Sequence, residues 1–115
     1  MDSKIKRFIK LIGSGSGIVF FGGAGVSTES SIPDFRSSSG LYSNGLHVEK
    51  LLSLSYFIDE PESFFNFYFN KMVYPHALPN DAHFALAHLE KEGRLDGIIT
   101  QNIDGLHSKA GSENV

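Results

Sequence analysis

The sequence predicts an α/β fold, a parallel sheet with flanking helices and a helical insertion. Two compact apolar runs, Ile18-Val19-Phe20-Phe21 and Leu95–Thr100, read as strands. Each opens into a polar, glycine-bearing loop, at residues 22–36 and 100–107. The stretch between them is helical in pattern and far longer than a minimal crossover needs, which is the order of a parallel α/β unit. In such a sheet ligands sit beyond the carboxyl ends of the strands, so the two loops are expected to meet there.

Taken in order, Ile5, Phe8, Ile9 and Ile12 fall at i, i+3, i+4 and i+7, one stripe of a short amphipathic helix with Gly13 as its predicted stop. Residues 14–17 turn the chain. The run from Ile18 lacks the alternation of a half-wet strand and is predicted to be a central strand, buried on both faces. From 47 to 73 the pattern turns helical: Val48, Leu51, Leu52 and Ser55 share a face, and Pro61 suits the first turn of a second helix. Phe64, Phe65, Phe67, Tyr68 and Phe69 crowd that second helix and are expected to form a hydrophobic subcore rather than a ligand groove. Asn80 is a predicted N-cap for a helix with Ala82, Ala85, Leu86 and Leu89 on one face, stopped at Gly93. Residues 41–78 are therefore read as a helical insertion forming a lobe beside the sheet.

At 115 residues the chain is one domain at most. Ten basic and thirteen acidic side chains give a net charge of −3, and Lys4, Lys6, Arg7 and Lys10 read as the wet face of the first helix, so no nucleic-acid partner is expected. There is no cysteine, hence no disulfide, thiolate metal site or Cys nucleophile in these residues. The first residues form neither a signal peptide nor a membrane span, so a cytoplasmic protein without membrane contact is expected. His47, His76, His83 and His88 are read as surface or core residues, with no metal site.

Glycines at 22, 23 and 25 put bare backbone N–H groups where a helix should start, which suits a pyrophosphate; glycines in that place also serve simply to turn the chain. The usual dinucleotide fingerprint fits only in part, because Thr28 stands where a third glycine belongs and no acidic residue ends a second strand about twenty residues on. A hydride-transferring dehydrogenase is thereby disfavoured. Further along, Pro33 stiffens a segment between the flexible start and a Ser-Gly tail, the composition of a lid ordered by its ligand. Phe35 and Arg36 are either plain core and surface residues or a ring and cation that cover a cofactor. At the second strand's end, Asp104 either caps a helix or, with the Ile103 N–H, grips a carboxamide, which offers a donor and an acceptor at once.

GAGVSTESSIPDFR with TQNIDGLHSKAG closely resembles the two signature motifs of the sirtuins, NAD-dependent protein lysine deacylases, and the stretch 79–90 resembles the helix that precedes the second motif. The resemblance implies a partial Rossmann-like large domain over residues 1–115, with the zinc-binding module and the later half of the protein outside this chain. It implies NAD as cofactor and acyl-lysine proteins as partners, with zinc only in the downstream module. The acyl group would pass to ADP-ribose as nicotinamide leaves. Cofactor-binding positions carried over are Gly23, Ala24, Gly25, Thr28, Ile32, Asp34, Phe35, Arg36, Gln101, Asn102, Ile103 and Asp104. Asn102 and Asp104 carry the catalytic roles, Asn102 holding a water or hydroxyl near the nicotinamide ribose. The family's general-base histidine would fall after Val115, and His107, which belongs to the second motif, is not that residue.

Two positions depart from the family pattern. Gly22 stands where Thr is usual, and Ser31 where Gly is usual, the latter adding a Cβ that is costly if the backbone needs positive φ. Two other classes of reading stand beside the deacylase: a noncatalytic NAD or ADP-ribose binding module, and a fragment that self-associates through an open sheet edge.

Overall fold

The structure is a computed structural model that describes residues 1–44 and 48–115; His47, at the start of the predicted helical stretch, lies outside the described residues. Helix α1 (Ser3–Ser14) begins at Asp2, whose carboxylate accepts from the Lys4 N–H at 2.8 Å. It runs past the predicted stop at Gly13, where an added Cβ would touch nothing, and ends at Gly15, whose N–H reaches the Ile12 carbonyl at 3.3 Å. The Arg94 guanidinium donates to the same carbonyl and so ties the end of α1 to the entrance of the second strand.

Strands β1 (Ile18–Gly22) and β2 (Leu95–Thr100) pair in parallel, Phe20 opposite Ile98 and Gly22 opposite Thr100, as the α/β reading requires. The expectation of a strand buried on both faces is corrected. Val19 and Phe21 of β1 and Ile99 of β2 are 56, 65 and 58 % exposed, while Leu95 and Ile98 are buried. Residues that alternate point to opposite faces, and among the described residues only one face is covered. The apolar stripe of α1 is likewise uncovered, with Ile5, Phe8 and Ile9 half exposed or more. On the edge of β2 away from β1, the Ile98 N–H donates to the Asn114 carbonyl at 2.9 Å, and Glu90 accepts from the Glu113 and Asn114 N–H groups.

Between the strands lie two 3₁₀ helices, η1 (Ala24–Ser30) and η2 (Leu41–Asn44), then α2 (Val48–Leu51), α3 (Leu54–Asp59), α4 (Pro61–Lys71) and α5 (Asp81–Lys91). The single face predicted for Val48, Leu51, Leu52 and Ser55 is broken into two helices. Ser53 takes an extended conformation and accepts from the Tyr56 N–H at 3.2 Å, starting α3 afresh. Pro61 occupies the first turn of α4 as predicted. The rings of Phe57, Phe64, Phe65, Tyr68 and Phe69 do cluster, at centroid separations of 5.0 to 6.1 Å. No residue of α4 is buried, however, so they form a half-exposed patch rather than a subcore.

Asn80 caps α5 as read from the sequence, its carboxamide oxygen accepting from the Ala82 N–H at 2.9 Å. The face that α5 turns inward matches the predicted one in part: Leu86 and Leu89 are half-buried, beside buried His83 and half-buried Ala87, while Ala82 and Ala85 are exposed. Helix α5 packs against β2 and against the short α6 (Leu106–Lys109).

Candidate functional site

At the carboxyl end of β1 the chain passes through Gly23 into η1, which buries Ser27 completely. At the carboxyl end of β2 it enters the 101–105 loop. Three side-chain hydrogen bonds stitch the two segments together. Ser27 Oγ donates to Asp104 Oδ2 at 2.6 Å, and Asn102 Nδ2 lies 3.0 Å from the Gly23 carbonyl and 3.3 Å from Ser27 Oγ. The other carboxylate oxygen, Asp104 Oδ1, accepts from the Leu106 N–H at 2.9 Å. Of the two sequence readings of Asp104, the cap is borne out: one oxygen accepts at the start of α6, while the other is held by Ser27 of the first loop. The short Ser27 contact is a charge-assisted bond, the stronger class of hydrogen bond.

Behind Ser27 stand two buried imidazoles. His83 Nδ1 accepts from the Asn80 N–H at 3.1 Å, completing a reciprocal cap at the start of α5, and His83 Nε2 faces Ser27 Oγ at 3.4 Å. Its ring meets His107 edge-on with centroids 4.8 Å apart, and His107 leans on Phe20 at 5.7 Å. Burial pushes the pKa of each histidine down; for His83 the neighbouring His107 adds to this, and for both the Asp104 carboxylate opposes it.

A narrow cleft opens in front of this cluster, lined by Ala24, Ile32, Phe35, Asn102, Ile103 and Asp104, with Tyr74 and Met72 on the far side. Its volume of about 80 Å³ is enough for one end of a ligand. A second opening beside it is bounded by Asp34, Phe35, Arg36, Tyr42 and Gln101. A larger groove of about 1020 Å³ lies behind η1, between Val26 and the 73–82 segment, but it contains none of the Gln101 to Asp104 side chains. Size alone therefore does not select it. The cleft joins an acceptor carboxylate, an amide and an aromatic ring, which suits a planar heterocycle bearing a carboxamide.

The Sir2 family model matches residues 23–115, from the glycine that opens the first loop to the last residue. The chain belongs to the Sir2 family. This sirtuin chain is 57 % identical over 119 aligned residues to an NAD-dependent protein deacetylase of Clostridium perfringens, and 59 % identical to one of Clostridium tetani. All of the chain aligns, to 49 and 48 % of those proteins, so it spans about half the length of the curated relatives it matches. Among solved structures, one of a Sir2 enzyme superposes with a TM-score of 0.90 at 39 % identity, covering 100 % of this chain and 45 % of that one. A Sir2 variant with a deacetylated peptide and 3′-O-acetyl ADP-ribose superposes at 0.86 with 40 % identity, covering 96 % of this chain and 45 % of that one.

Within this sirtuin fold the predicted positions fall into three groups. Ala24, Ile32, Phe35, Gln101, Asn102, Ile103 and Asp104 line the cleft. Asp34 and Arg36 border the adjoining opening, where Asp34 also accepts from the Ser37 N–H at 3.3 Å. Gly23, Gly25 and Thr28 do not line the cleft: Gly23 lends its carbonyl to Asn102, Gly25 faces the groove behind η1, and the Thr28 hydroxyl donates to the Gly25 carbonyl at 3.0 Å. Ser27 and His83 were not among the predicted site residues. Nothing in their local pattern marks them, since a serine inside a loop motif and a histidine near a helix start carry no periodic signal. Ser31 is the positive-φ residue foreseen, at φ 62° and ψ 26°.

Proposed function

We propose that this chain supplies the NAD and nicotinamide loops of an NAD-dependent protein lysine deacetylase, and that acyl-lysine proteins are its substrates. The observation that carries the reading is that Ala24, Phe35 and Asp104, remote in sequence, line one cleft at the carboxyl ends of two parallel strands. The names of the relatives and the peptide and ADP-ribose found with a structural neighbour support it. The domain is Rossmann-like in this reading, with residues 41–78 as its helical insertion.

The residues present fit the nicotinamide end of the cofactor. Asp104 accepts from a carboxamide NH₂, Ile103 offers its N–H to the carbonyl, and Phe35 covers the ring face from the first loop. Asn102 is held by Gly23 and Ser27 through its NH₂, which leaves its oxygen to orient a water or hydroxyl. When bound, the dinucleotide would supply a glycosidic bond whose cleavage releases nicotinamide and leaves the ribose of ADP-ribose to take the acyl group. A segment carrying Pro33 and Phe35 that closes over the cleft keeps water from the reacting sugar and aligns the two reactants.

The test is nicotinamide release from NAD by the protein at its native length, with and without an acetyl-lysine peptide. Release that requires peptide, and that drops at least about a hundredfold in Asn102→Ala, is expected. Unaltered turnover in the variant overturns the assignment of the pocket. Saturable ADP-ribose binding without any turnover replaces the deacetylase with a noncatalytic binding module.

A further inference from the structure

Among the buried groups, two histidines that meet edge to face have no role in the proposed cofactor cleft. His83 is 0 % and His107 2 % exposed, and they lie between α5, α6 and β1. The Asn80 N–H donates to His83 Nδ1, so that nitrogen carries no proton. In the neutral ring the proton then sits on Nε2, aimed at Ser27 Oγ. With that donor on one side, Ser27 is free to give its own proton to Asp104 Oδ2. The cap of α5 thereby sets a one-way chain of donors that ends at the cleft carboxylate. Among the described residues neither nitrogen of His107 has a hydrogen-bond partner, so its ring serves as the wall against which His83 is held.

We propose that His83 and His107 are positioning residues: the edge-on pair, with His83 locked in one tautomer by the α5 cap, orients Ser27 and through it holds Asp104 in place for ligand. The proposal rests on the reading of Asp104 as part of the cofactor cleft. A proton on His83 Nδ1 would face the Asn80 N–H donor to donor and break the cap, and charge on either ring repels the other. Asp104 is the charged group that faces the pair and draws toward it; Asn80 and Ser27, which touch His83, and Phe20, which touches His107, do not titrate in this range. Because both pKa values are lowered, the unfolded chain takes up protons first as pH falls. The stability of the fold is therefore whole above about pH 6.5 and falls progressively below it, and the alignment breaks at the lower pH where the rings of the folded protein take up protons.

Nitrogen-15 imidazole spectra of the native-length protein, titrated from pH 8 to 5, test this without any ligand. His83 is expected as the Nε2–H tautomer, both rings should titrate below about pH 6.5, and the Ser27 and Asp104 amide signals should move with the same midpoint. His107→Phe, which keeps a ring but removes its charge, should move the His83 midpoint upward. His83→Gln, which keeps a donor toward Ser27, should retain NAD affinity at pH 7.5, whereas His83→Phe should lose about tenfold or more. A proton on His83 Nδ1 at neutral pH, or Ser27 and Asp104 amides that stay still while the rings titrate, overturns the proposal. Absence of NAD binding by the unmodified protein at pH 7.5 instead removes the cofactor reading, and the spectra still decide the positioning role.

Discussion

Replacing Ser27 with alanine probes the junction of the two loops directly. The hydroxyl is fully buried and donates to Asp104 Oδ2 at 2.6 Å, a hydrogen bond to a charged group of the kind that contributes about 1.5–3 kcal/mol. Its other contacts add less. Asn102 Nδ2 keeps the Gly23 carbonyl at 3.0 Å when the 3.3 Å contact to Ser27 goes, and the His83 contact at 3.4 Å is near the limit of hydrogen bonding. Removing one oxygen leaves too small a void for a cavity cost of note, so the loss is dominated by the carboxylate left short of a donor. A destabilisation of about 2–3 kcal/mol follows. Urea unfolding of the native-length protein, followed by circular dichroism, should show the midpoint falling with an unchanged slope. Thr28→Ala is the internal comparison, because its hydroxyl donates to the neighbouring Gly25 carbonyl from an exposed position and its loss should cost about 0.5–1 kcal/mol. If Ser27→Ala costs no more than Thr28→Ala, the buried hydroxyl does not join the two loops and the reasoning fails.

Other substitutions test single conformational statements. Ser31 sits at φ 62°, so Ser31→Gly should raise stability by about 0.5–1 kcal/mol in the same unfolding assay; a loss of stability would show that the serine side chain outweighs the backbone strain. At Gly22 an added Cβ would fall onto the ring of Phe20, which packs against His107, so Gly22→Thr should cost about 1–3 kcal/mol. Combining it with Phe20→Leu should cost less than the sum of the two single changes, and strict additivity would mean that the ring is not what excludes the larger residue.

Local chemistry made several features readable from the residues alone. Both strands were found because a short run of apolar β-formers between turn residues has few other uses, and the α5 cap because Asn80 with its flanking proline is a strong start signal. The two loops could be assigned a ligand because their glycines, amide and carboxylate must leave the strands on the same side of a parallel pair. Packing decided the rest. The Ser27–Asp104 and Ser27–His83 contacts join residues 77 and 56 positions apart, and no periodicity spans such separations. Whether Val19, Phe21 and Ile99 are covered depends on what lies over the sheet, so an unbroken apolar run could not reveal that one face of the described residues is open. That His83 joins Leu86 and Leu89 on the inward side of α5 reflects a polar requirement: its two nitrogens face the Asn80 N–H and Ser27, a condition that hydrophobic spacing does not encode.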